Sequence, residues 1–132
     1  MSENSESLRA LFDAYNRRDF EAAVQYAHPE VQLRPGLTEL DVSPRYRGRD
    51  ELRQFFETIT EAWESYVVVP EETVAAPGDR VLVVERWRAV GRGGLEFNLE
   101  LIDVFTFRDG LIVRIDGFRN KAEALEAVGL AD

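Results

Sequence analysis

Three kinds of side chain in this sequence could take part in chemistry. The first are acids set in apolar strands: Asp103 and Asp116 in "LIDVFTFRDGLIVRIDG". A lone carboxylate is costly to bury unless something pairs with it. An inward acid is therefore either the partner of a cation or a poised acid with a raised pKa. The second kind are arginines. Arg86 and Arg88, and more weakly Arg34, could pair with Asp103 or bind an anionic ligand. Pairing implies that Asp103→Asn destabilises the fold by more than about 1 kcal/mol. The third is His28, whose ordinary pKa of about 6.5 suits a general base. It precedes Pro29 at a helix end, however, where capping or solvent contact is the common role.

A metal centre is not expected. The only histidine is His28 and there is no cysteine. There is also no HExxH, GxSxG, P-loop or GxGxxG pattern, so no cofactor is expected. "GRGG" at 91–94 lies between two strand patterns and reads as a hairpin loop.

The elements that must position these residues follow from periodicity. Leu8, Leu11, Phe12 and Tyr15 recur at helical spacing and predict a helix over about 5–17. Asp19 is an N-cap for a second helix carrying Phe20, Ala23, Val24 and Ala27, ended by His28-Pro29. Residues 31–34 form a short strand candidate, and 35–47 a loop. A third helix over 48–65 carries Leu52, Phe55, Phe56, Ile59 and Trp63 on one stripe. Strands follow over 66–75, 81–90, 95–107 and 111–118. Pro70 marks the first of these as an edge or bulged strand. Residues 121–128 close the chain as a helix with Gly129 at its end. Helices followed by an antiparallel meander make an α+β domain.

Side chains alternate along a strand. In 95–107 the odd set, with Leu99, Leu101, Asp103, Phe105 and Phe107, is the more apolar, so Asp103 faces inward. Asp116 depends on the following turn. A two-residue loop at Asp109-Gly110 would set Asp103 opposite Asp116, two like charges in an apolar layer. A three-residue loop, Arg108-Asp109-Gly110, shifts the register by one and turns Asp116 outward. The second register is expected.

With 132 residues, 45% of them hydrophobic, the chain has the size and core of one domain, 1–132, with residues 1–5 expected to be disordered. A net charge of -9 argues against nucleic acid and anionic membrane surfaces. A cysteine-free chain without a long apolar run fits the cytoplasm.

The order of elements, with "YRGRDEL" and "VFTFRDGLIV", resembles the nuclear transport factor 2-like superfamily in its SnoaL-like branch. That resemblance implies a cone-shaped, curved antiparallel sheet packed on N-terminal helices around one deep pocket. Relatives include ketosteroid isomerases, limonene epoxide hydrolases and polyketide cyclases. "LIDVF" resembles the isomerase strand whose protonated aspartic acid hydrogen-bonds an enolate, the role implied for Asp103. "FNLELIDVF" and Arg86 resemble the epoxide hydrolase strands. The further aspartate of the hydrolases and cyclases aligns with Gly117.

The function expected is binding of a small molecule in an apolar pocket. The alternative is cofactor-free acid/base catalysis of the isomerase, cyclase or hydrolase type on an apolar, oxygen-bearing substrate. Asp103 is the catalytic candidate. Tyr15, Arg34, Phe56, Trp63, Arg86, Arg88, Leu101, Phe105 and Ile115 are the candidate ligand contacts. A second titratable group beside Asp103 would favour an enzyme; an arginine clamped on it would favour binding or structure. Val81, Val83, Trp87, Ile102, Val104, Ile112 and Phe118 are expected to point outward, forming an apolar patch covered in a homodimer.

Overall fold

The computed structural model describes residues 3–36 and 43–130. In chain order its elements are α1 (Glu3–Asn16), α2 (Phe20–Val24), β1 (Ala27–Arg34), β2 (Tyr46–Arg47), α3 (Gly48–Ala62), β3 (Ser65–Ala76), β4 (Arg80–Val90), β5 (Glu96–Arg108), β6 (Leu111–Phe118) and α4 (Lys121–Ala127). The strands form one open, curved sheet in the order β2-β1-β6-β5-β4-β3. The α+β class expected from the sequence is found. The sheet is antiparallel except where β1 runs parallel to β6.

Local chemistry sets the element ends. The Asp19 side chain caps α2 by accepting from the Ala22 amide at 3.2 Å. α2 is shorter than the pattern indicated, because Ala27 already belongs to β1. Pro29 lies where the β1–β6 pairing shifts register between Ala27 and Gln32, an irregularity that tolerates proline. Glu3, Asn4 and Ser5, expected to be disordered, lie in the first turn of α1. Part of the expected 35–47 loop, residues 37–42, lies outside the described residues. β3 is an edge strand with a bulge between Pro70 and Glu72, as its proline suggested. Asn16 ties the end of α1 to β3: its amide nitrogen donates to Val68 O at 2.8 Å and its oxygen accepts from Val68 N at 3.0 Å.

The two faces of the sheet are buried differently. Val81, Val83, Trp87, Phe105, Phe107, Ile112 and Ile115 pack with α1, α2 and α3 in the main core. Leu82, Val84, Ile102 and Val104 pack on the other side with Ala124 and Val128, from α4 and the residue after it. This corrects the facing expected for β4. Val81, Val83 and Trp87 point inward, and Arg86 and Arg88 do not. Four consecutive apolar residues, 81–84, carry no alternation from which a phase could be read. The expected dimer patch also dissolves. Val81, Val83, Trp87 and Ile112 belong to the inner core; Ile102 and Val104 lie under α4; Phe118 is half-buried against that cluster. Among the described residues, no helix is long and apolar enough to cross a membrane.

The β5–β6 hairpin reaches the expected register by another route. Asp109 and Gly110 both have positive φ, 53° and 80°, and Arg108 pairs with Leu111. This is the two-residue turn. The one-residue shift comes instead from a bulge at Val113, between the Thr106–Arg114 and Phe107–Ile112 pairs. Asp103 therefore lies opposite Gly117, and Asp116 lies opposite Val104 on the outer side.

Gly117 is a crossing point. A Cβ built there would come 2.2 Å from Gly36 N and 2.8 Å from Gly36 Cα. The chain leaving β1 lies directly over β6, and no side chain fits between them. Gly117→Ala is therefore expected to lower unfolding free energy by about 1–3 kcal/mol or more, the usual cost of overpacking. An equilibrium urea titration with an unchanged midpoint would show that the crossing does not constrain this position.

Candidate functional site

The inner face of the sheet and the helices border a partly open cavity of about 70 Å³. Its apolar wall comes from Leu11 and Phe12 of α1, Phe55 and Phe56 of α3, Leu33 of β1, and Leu101, Phe105 and Ile115 of β5 and β6. Pro35 and Gly36 line it where the chain crosses Gly117. The polar part is small: Tyr15, Glu85, Trp87 and Asp103.

Strand register brings the two acids together. Val83 pairs with Asp103, and Glu85 pairs with Leu101. Directly opposed residues share a face, so Glu85 and Asp103 both point inward, one step apart along adjacent strands. Glu85 is only 1% exposed. Its Oε1 accepts from Trp87 Nε1 at 3.2 Å. Its Oε2 is buried and meets no ordinary donor; it is the oxygen left for the proton shared with Asp103. Asp103 is half-buried and lines the cavity.

Burial lifts the Glu85 carboxyl well above the usual range, and the neighbouring Asp103 charge lifts it further. Asp103 is also raised by burial; the proton on Glu85, which is within its reach, opposes this, and the Asp116 charge adds to it. Glu85 thus holds the pair's proton, and Asp103 is the first of the two to ionise. No arginine, lysine or histidine lines the cavity among the described residues.

Hydroxyl groups continue the polar strip. Tyr66 Oη donates to Tyr15 Oη at 2.7 Å, and Thr60 Oγ1 lies 2.9 Å from Tyr66 Oη. Burial raises the Tyr15 pKa well above its ordinary value, and Tyr66 adds to the effect. Tyr15 is therefore a neutral phenol. Arg18 sits over the Tyr66 ring at 4.0 Å, and its Nη2 donates to Tyr66 O at 2.6 Å. The Tyr66 and Trp87 rings stack at 5.3 Å.

Of the candidates named from sequence, Tyr15, Phe56, Leu101, Asp103, Phe105 and Ile115 lie on this cavity. Four do not. Arg86 is on the outer face, bonded to Glu100 at 3.2 Å and Glu71 at 3.4 Å. Arg88 and Arg34 are exposed. Trp63 ends α3 with an extended backbone and packs on Phe97 at 5.3 Å, away from the cavity. His28 accepts at Nδ1 from the Glu30 amide at 3.0 Å and also lies elsewhere. The premise of an arginine on Asp103, and with it the stability loss expected for Asp103→Asn, is removed.

Glu85 was missed. The signal was available in the hairpin: Val90 pairs with Glu96 across the glycine loop, so odd residues of β4 face odd residues of β5. Once Asp103 points inward, Glu85 must as well.

A family profile described as SnoaL-like domain matches residues 8–115. A comparison with curated proteins returns no match. Among solved structures, an NTF2-like protein of unknown function from Burkholderia pseudomallei aligns with a TM-score of 0.81 at 22% identity, over 97% of this chain and 98% of that one. TerC co-crystallised with polyporic acid aligns with a TM-score of 0.80 at 22% identity, over 97% and 99%. A Mycobacterium tuberculosis protein in complex with estradiol-17β-hemisuccinate aligns with a TM-score of 0.76 at 17% identity, over 92% and 96%.

The raised pKa values have a definite sign. A carboxyl whose folded pKa lies above its unfolded value stabilises the fold relatively at low pH, and that contribution falls as pH rises. For this pair the loss begins near the unfolded values, 3.8 for Asp and 4.5 for Glu, and runs up through each raised folded value. Glu85→Gln removes one titration. Urea unfolding from pH 5 upward should therefore favour the variant over wild type progressively, by about 1.4 kcal/mol per pH unit while Glu85 stays protonated. Parallel pH profiles for the two proteins would contradict the assignment.

Proposed function

Because the chain belongs to the SnoaL-like domain family, we propose that its cavity binds a compact, largely apolar small molecule whose polar end meets Glu85 and Asp103. The observation that carries this reading is an apolar cavity whose polar lining is concentrated at a carboxyl pair without a cation. The ligands in the TerC and Mycobacterium tuberculosis structures support a small-molecule role on the same fold. An anion would meet two acids and is disfavoured.

The pair also supports the enzyme reading, since two acids holding one proton can act in opposite senses. Asp103, ionised, takes a proton from a carbon beside a carbonyl. Glu85, protonated, gives one to the carbonyl oxygen. The product is an enol, with the pair's charge moved from Asp103 to Glu85. Proton transfer from Asp103 to Glu85 resets the pair. Neither an arginine nor a cofactor is required for these steps.

One experiment reads both roles. Butanone is titrated into the protein in deuterated water and followed by NMR. Saturable shifts of the Trp87 indole resonance report binding. Deuterium entering the carbon beside the carbonyl faster than in buffer reports acid/base work, and Asp103→Asn should return that rate to background. Linear shifts scattered over the surface would reject the binding reading. Binding with exchange equal in wild type and Asp103→Asn would reject catalysis by the pair.

A further inference from the structure

Glu85 and Asp103 are paired carboxyls on the cavity wall, bridged by the proton that Glu85 holds toward Asp103. Asp103 carries the pair's charge, and no cationic side chain among the described lining residues answers it. A neutral ligand leaves that charge uncompensated in an apolar enclosure. We propose that the polar end of the ligand is a protonated amine, seated against Asp103 of the carboxyl pair with its short alkyl part against the apolar wall.

This rests on the reading of the cavity as a small-molecule site and adds the chemical class. The charges match: with one proton shared, the pair carries one negative charge, and an alkylammonium carries one positive charge. The donor count matches too. An ammonium has three N–H donors, and the Asp103 carboxylate, which lines the cavity beside the Glu85 carboxyl, accepts from them. The lining rings are of the right kind, since Tyr15, Phe56 and Trp87 line the cavity and aromatic faces attract cations. The groups around the pair would not counter this. Tyr15 on α1 stays neutral, while Asp116 on β6 adds negative charge from the far side of the sheet. Arg18 is engaged with Tyr66, and Arg86 with Glu71 and Glu100. A net charge of -9 draws cations to the protein generally.

The test compares probes that share a short alkyl chain. Isothermal titration at pH 7.5 measures n-butylamine, n-butanol and butyrate against the intact protein. The amine is expected to bind at least tenfold more tightly than the alcohol, and butyrate not at all. That preference should shrink toward pH 4 as Asp103 takes up a proton. Asp103→Asn should bind amine and alcohol alike. The pH series on wild type serves as the test if that variant does not fold. Equal affinity for amine and alcohol would overturn the amine and leave the small-molecule site standing. No binding by either would overturn both. An amine preference unchanged from pH 7.5 to 4 would place the cation elsewhere and overturn the proposal.

Discussion

Two carboxyl groups enclosed on one face of a sheet, with no cation to answer them, set the terms for the site. Burying one ionised carboxylate is expensive, and burying two side by side more so. The arrangement is tenable because one group keeps its proton. Glu85, the deeper of the two, is the group that does so, and Trp87 holds one of its oxygens in place. The apolar wall that raises both pKa values is the same wall that would hold a ligand. Proton storage and ligand binding are thus consequences of one environment.

The fold supplies that environment through register. Direct pairing of Val83 with Asp103 and of Glu85 with Leu101 places the acids on one face. On β6, the bulge at Val113 turns Ile115 inward and Asp116 outward. Without that bulge, Asp116 would join the pair as a third acid. Gly117 then lets the chain after β1 pass over the sheet, so Pro35 and Gly36 close on the cavity where a side chain would otherwise stand. No acid fits at this position: the space belongs to backbone.

Much of this was legible in the sequence, for identifiable reasons. Asp19 and Pro70 announced a cap and an edge bulge because their chemistry is local. Asp103 could be placed because its strand alternates. β4 resisted because residues 81–84 are apolar on both faces: one side meets the helical core and the other meets α4. That double burial hid the phase, drew Arg86 and Arg88 into the expected site and left Glu85 out of it. The same double burial made an inner surface and a helix-covered one look like a dimer patch. Asp116 came out right for a different reason from the one argued, since turn length and bulge position are separate variables and only their sum fixes the register.

The central claim is that Glu85 holds the pair's proton while Asp103 is the first of the two to ionise. The direct measurement is carbon NMR of the side-chain carboxyls, assigned by Glu85→Gln and Asp103→Asn and followed from pH 3 to 9. The Glu85 resonance should leave its acid position only well above the pH at which an exposed glutamate titrates, with Asp103 ionising first at a pH above that of an exposed aspartate. A Glu85 resonance that titrates near 4.5, the value for an exposed glutamate, would contradict the shared proton and the site built on it.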